Sequence, residues 1–391
     1  MNLMGLAAVM SQWGKTIECV AGFGHFVMSR ANGAAARACA ILLGASLVAF
    51  LTGCSGIGPG TVSRDRFDYT AAISDSWKDQ MLLNLVKIRY GDAPVFMDVA
   101  SVISQYQVQG AVSLNGSWFN SPSIYPALVL GGAGTYSDRP TVTYSPLVGE
   151  RFARSLMTPI PPSAIVSLIQ AGYPADMVLR LTVHTINGLQ NHFGGMARAK
   201  QGDAGFYRLT ELMRRVQLSN AIGLRLNKLD DRQSTLLIIR GQTDEESSAD
   251  SLQIRRLLGL NPAATELNIV YGSVAKNDHE VAILSRSILD VLIDLASFIE
   301  APQKHVEEKR VNPTMPAEIS EGAPLPPLLR IHSSSTKPED AFVAVRYRDH
   351  WFWLDDRDMF SKRMFSFLMF IFTLVETGEK APAPLVTIPT G

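Results

Sequence analysis

The densest set of side chains able to do chemistry lies in the run Arg346-Tyr347-Arg348-Asp349-His350-Trp351-Phe352-Trp353-Leu354-Asp355-Asp356-Arg357-Asp358 of this 391-residue chain. Indoles stack on sugar rings and carboxylates hold hydroxyls or cations. Trp351 and Trp353 beside Asp355, Asp356 and Asp358 could therefore bind a sugar or a cation. A plainer reading competes. On a strand, Trp351 and Trp353 share one face and Phe352 the other, so part of this aromatic surface packs inward. Asp355 to Asp358 then fall at a helix start, where acid is favourable. His184 and His192 form a second pair, eight residues apart across an Asn/Gly turn. No third ligand stands at zinc-site spacing, so they read as ordinary histidines, and neither a metal nor another cofactor is expected. Asp278-His279-Glu280 reads as capping charge at a helix start. Gly131-Gly132-Ala133-Gly134 lacks the Lys-Ser/Thr of a phosphate loop and the strand–helix setting of a dinucleotide site, and reads as a connecting loop. The G-x-S-x-G hydrolase elbow is absent.

Cys54 is a different kind of reactive residue. It ends the run Leu51-Thr52-Gly53-Cys54, behind an apolar stretch over 38–50 and a basic region with Arg30 and Arg37. Basic, apolar and small residues in that order are the layout of a secretory signal peptide. The run resembles a bacterial lipobox, and the chain is similar to bacterial lipoproteins over roughly its first 15%. The resemblance implies cleavage between Gly53 and Cys54, acylation of the Cys54 thiol and palmitate-type chains that anchor the protein to a membrane. Ser55 after the cysteine resembles the outer-membrane class, with the mature chain facing the periplasm. The apolar stretch is about 15 residues, short of the roughly 20 needed for a span. Residues 1–27 include Trp13, Glu18, Cys19 and His25, which suit a leader poorly. A start at Met28 would give a leader of ordinary length.

The chain has 36 basic and 36 acidic residues. Removing Lys15, Arg30, Arg37 and Glu18 with the leader leaves the mature part about two charges negative, with no pull toward nucleic acid. Cys19 and Cys39 lie in the leader, so the mature chain keeps only Cys54. Disulfides, thiol catalysis and cysteine metal sites are thereby excluded, and packing alone must hold the fold.

The elements that would position these residues read as follows. A helix is expected over 68–89, from Ala72, Ile73, Trp77, Met81, Leu82, Leu85 and Ile88. A strand and short helix follow over 95–110, then strands joined by the glycine loop over 107–144. Helices are expected over 149–156 and 162–171, with a proline in the first turn of the second. A strand or short helix covers 177–186, and a loop 187–205. Helices at 206–218 and 244–258 flank strands at 222–229 and 235–240, with a further strand at 267–271. One amphipathic helix is expected over 279–300. Residues 301–328, with six prolines, read as a long exposed loop. A hairpin over 342–354 turns at Arg348-Asp349-His350. Asp358 caps an apolar helix to Val375, ended by Gly378. On that helix Phe367, Phe370, Ile371 and Leu374 form the stripe expected to face the hairpin.

The fold class expected is α+β: a mixed sheet with packed amphipathic helices, and a proline-rich loop before a C-terminal hairpin–helix unit. The organisation is a signal peptide over 1–53, a lipidated tether over 54–66, a main domain over 67–300, the loop over 301–328 and the C-terminal unit over 329–391. The expected function is non-enzymatic: a lipid-anchored scaffold that binds an envelope protein partner, with Trp351, Trp353, Asp355, Asp356, Asp358 and Phe370 as its surface. The alternative is an envelope hydrolase or glycan-binding protein using the acids near Trp351.

Overall fold

The computed structural model describes residues 17–20, 59–103, 106–117, 127–138, 141–195, 200–219, 222–229, 232–239, 245–264, 266–320 and 322–375. Gly53, Cys54 and Gly378 lie outside them. The fold is α+β. Two compact units divide the chain, one of residues 1–74, 97–145 and 382–391 and the other of residues 75–96 and 146–381.

The first unit is built on a long hairpin, in which β3 (Tyr106–Ser117) pairs antiparallel with β4 (Ala127–Asp138). The run from Gly131 to Gly134 is inside β4, opposite residues 110–113, and not in a loop. Ladder hydrogen bonds need only backbone, so the pairing overrides glycine's weak strand preference. β1 (Ile17–Val20), in the segment read as leader, adds to the other edge of β4. β2 (Phe96–Ile103) pairs with β5 (Thr141–Leu147). The short helix expected after residue 100 is therefore strand.

Helix α1 (Pro59–Arg89) begins well ahead of Asp68, inside the stretch read as tether. Proline suits a first turn because its missing N–H has no intrahelical partner there. Met81, Leu82, Leu85 and Val86 are buried, whereas Val62 and Phe67 are exposed. Asn84 clamps the chain that returns from this helix: its side chain donates to Val95 O at 2.8 Å and accepts from Val95 N at 2.9 Å.

The second unit holds a six-stranded sheet in the order β7-β6-β11-β10-β9-β8. Its strands are β6 (Val183–Ile186), β7 (Leu189–Gln190), β8 (Ile222–Leu229), β9 (Arg232–Ile239), β10 (Glu266–Tyr271) and β11 (Glu280–Ser285). The pairings are antiparallel except that β10 and β11 run parallel, Asn268 opposite Glu280 and Tyr271 opposite Ile283. Asn187 (φ 45°) and Gly188 (φ 84°) supply the left-handed turn between β6 and β7.

Helices α2 (Glu150–Met157), α3 (Pro162–Gln170), α4 (Ala175–Thr182), α5 (Ala204–Leu218) and α6 (Glu245–Leu257) occupy the expected regions. The single helix expected over 279–300 is instead β11 followed by α7 (Ile288–Ser297). Ser287 breaks the run: its hydroxyl accepts from Asp290 N and Asp290 returns the bond, a capping box. The consecutive apolar residues 281–283 are buried in β11, and such a run fits strand or helix equally by periodicity.

The proline-rich segment is also corrected. It carries α8 (Gln303–Glu307) and a small hairpin of β12 (Glu318–Ser320) and β13 (Ala323–Leu325). His305, Val311, Glu318 and Leu328 are buried, so it is pinned at intervals rather than free in solvent. After it come β14 (His332–Ser334), β15 (Ala341–Tyr347) and β16 (His350–Asp355), a three-stranded sheet with β16 in the middle. The β15–β16 turn is Arg348 (φ 45°) and Asp349 (φ 69°), the two positive φ values of a type I′ turn. Helix α9 (Met359–Val375) closes the fold, with Asp358 accepting from Ser361 N at 3.0 Å as its cap.

Candidate functional site

The residues singled out in the sequence scatter, and two of the places they occupy are built from several groups. The first is the outward face of the hairpin. Phe352 and Leu354 point into the core with no exposure, while Trp351 and Trp353 on the opposite face are half-buried. Lys337 Nζ stands 5.5 Å from the Trp351 ring centroid, and His332 lies against Trp353 at 4.9 Å. The three acids do not converge. Asp356 pairs with Lys362 Nζ at 2.6 Å, and Asp358 serves as the α9 cap. Asp355 alone reaches an open groove of about 330 Å³, which Trp353, Asp340, Glu339, Arg357, Ser334 and Thr336 also line. Phe370 is elsewhere, 43% exposed and stacked on Tyr173 at 6.2 Å.

The second place surrounds His192. It is 2% exposed, and the sequence marked it as unremarkable. Its Nε2 lies 3.0 Å from Asp294 Oδ2, and its Nδ1 lies 3.2 Å from the Tyr207 hydroxyl. Tyr207 donates to Glu318 Oε2 at 2.8 Å. Both ring nitrogens of His192 therefore face acceptor oxygens. Asp294 also receives Arg286 Nη1 at 2.8 Å and Gly194 N at 2.8 Å. Arg286 is fully buried and caps the end of α4 through Arg180 O and Leu181 O. Arg180 donates to Pro326 O at 3.0 Å. Burial would lift the Asp294 carboxyl, but Arg286, His192 and Gly194 outweigh it and hold its pKa below the ordinary value. Burial first, then the bond to Glu318, push the Tyr207 phenol far up.

Six pieces of chain meet in this network: α4, residues 191–194, α5, the β11–α7 link at Arg286, α7 and the β12–β13 hairpin. Gly194 is required for the approach, because a Cβ there would sit 2.0 Å from Ser297 Oγ. The cavity beside it is about 10 Å³, room for one water and no substrate. The arrangement therefore clasps the proline-rich segment to the helices. His184 sits apart, 3.7 Å from Asp290, and Asp278–His279 is an exposed pair ahead of β11 rather than a helix cap. Among the described residues, no group of three His, Cys, Asp or Glu is placed to hold a metal. No helix among them is long and apolar enough to cross a membrane.

Sequence reading included Arg357 in the candidate run but missed Asp340 and Glu339 of the groove, and Tyr207, Arg286, Asp294 and Glu318 of the clasp. One signal was available. Asp294 is a lone charge in the apolar run Val291-Leu292-Ile293-Asp294-Leu295, which demands a buried partner.

A third cluster is pH-sensitive. His305 is buried, its Nδ1 is 2.7 Å from the Tyr90 hydroxyl, and its ring is 4.7 Å from that of His350. Burial first, then the positive charge of His350 and Arg310, hold its pKa below the ordinary histidine value. The unfolded chain then binds this proton more readily than the folded one. Its contribution is present above pH of about 6.5 and is lost as pH falls toward the folded value. The melting temperature should drop between pH 7.5 and 5.5, and His305→Gln should flatten that drop. An equal slope in the variant would remove His305 as its source.

The chain matches no protein-family model, no curated protein and no solved structure.

Proposed function

We propose that the chain is a lipid-anchored, non-enzymatic binding protein of the bacterial envelope. Acyl chains on Cys54 hold it to the outer membrane, and its folded part faces the periplasm and engages an envelope partner. The observation that carries this reading is the Leu51-Thr52-Gly53-Cys54 run behind an apolar stretch and a basic start. The binding half is supported by the hairpin. Phe352 and Leu354 fix its inner face in the core, and the half-buried Trp351 and Trp353 form a rigid amphipathic outer face. Asp356 and Asp358 are engaged with Lys362 and the α9 start, which leaves a hydrolase with Asp355 alone of its three acids.

Cys54→Ala should leave an uncleaved precursor that takes up no labelled palmitate, because the thiol is the acylation point and cleavage follows acylation. Palmitate still entering the variant, or processing at the wild-type rate, would defeat the anchor.

A further inference from the structure

The groove beside Trp353 has the size and the chemistry of a ligand site. Its volume of about 330 Å³ is at the low end of the range for ligand pockets, about 300–1,000 Å³. Its polar groups bond to one another at the surface, where the Arg357 and Asp340 side chains are largely exposed. Arg357 Nη2 bonds Asp340 Oδ2 at 2.5 Å, and the Arg357 backbone N–H donates to Asp355 Oδ1 at 2.8 Å. Ser334 Oγ is held to Thr336 O at 2.7 Å. Asp340 precedes β15 and Asp355 ends β16, so the sheet itself sets the separation of the two carboxylates.

The charge pattern selects the ligand. Three carboxylates, Glu339, Asp340 and Asp355, stand against one guanidinium, so an anion is repelled. A small cation meets Asp340 already paired with the Arg357 guanidinium and Asp355 already bonded to the Arg357 backbone N–H. The indole of Trp353 gives the groove an apolar wall, and its Nε1–H is buried away from the opening. A neutral polyol meets the groups that are open: its hydroxyls donate to the carboxylates and accept from the guanidinium. Its C–H face packs on the aromatic wall.

We propose that this groove binds a neutral saccharide, with one or two pyranose rings between Trp353 and the Asp340–Arg357–Asp355 rim. The site stands on the groove alone. Its biological meaning, contact with a glycan of the envelope, rests on the anchoring reading above.

The test uses the full chain in a detergent without a sugar headgroup. Calorimetry and tryptophan fluorescence would follow titration with the tetrasaccharides of N-acetylglucosamine, cellulose and starch, and with spermine and calcium as cationic probes. Saturable binding of at least one tetrasaccharide is expected. Asp355→Asn and the exposed Glu339→Gln should each weaken it, the former by about tenfold or more. Asp356→Asn, off the groove, should leave it unchanged. Trp353→Phe keeps an aromatic in the sheet and should weaken binding without unfolding, as checked by its melting curve. Three results would each overturn the site: no tetrasaccharide saturating, binding indifferent to Asp355→Asn and Glu339→Gln, or saturation by spermine or calcium only. None of these touches palmitate labelling at Cys54, so the two readings fail separately.

Discussion

Asp294→Ala is expected to destabilise the second unit by about 3–5 kcal/mol, because it leaves the fully buried Arg286 with an uncompensated charge. His192 and Gly194 N lose their acceptor in the same step. At about 2–4 °C per kcal/mol for a unit of this size, the melting temperature should fall by roughly 10 °C. Replacing both members of the pair, as in Arg286→Met with Asp294→Leu, should recover part of the loss, since no lone charge then remains buried. A single variant that melts within a degree of the parent would show that the clasp does not hold the unit together.

Phe365→Ala should be of similar size. Phe365 is fully buried in α9 and meets the Phe342 ring edge-on at 6.3 Å. Removing such a ring costs about 3–5 kcal/mol. Phe370→Ala on the same helix should change stability by less than about 1 kcal/mol, because Phe370 is 43% exposed. Thermal melts of the two variants side by side decide this. Equal losses would mean that the helix is buried on both sides, for instance by a partner.

That contrast shows where sequence reading stopped. The extent of α9 and its Asp358 cap were legible, as were α5 and the β15–β16 hairpin, because each carries a clear period and a clear boundary. The buried stripe of α9 was not. Met364, Phe365, Phe367, Leu368, Ile371 and Phe372 are buried, whereas the stripe expected to face the hairpin included Phe370. A helix apolar on nearly every side offers no polar face from which to read its orientation.

The two polar assemblies were illegible for another reason. Asp340 and Asp355 meet because a hairpin register brings them together, and Glu318 reaches Tyr207 from a segment whose prolines carry no periodic signal. Contacts between residues more than a hundred positions apart leave no trace in local spacing, although Asp294 inside an apolar run did announce a partner.

The parallel pair of β10 and β11 has a kinetic consequence. Parallel neighbours usually need a crossover of a dozen or more residues, yet residues 272–279, about eight, make this return. β11 meets its other neighbour, β6, by pairing Ile283 with Ile186, Leu284 with Thr185 and Ser285 with Val183, across a loop of nearly a hundred residues. By loop-closure entropy the longer loop costs about 2 kcal/mol more than the shorter. Strands β8 to β11 can thus zip from a nearly continuous stretch of chain, and the edge that carries His192 is the part that arrives late.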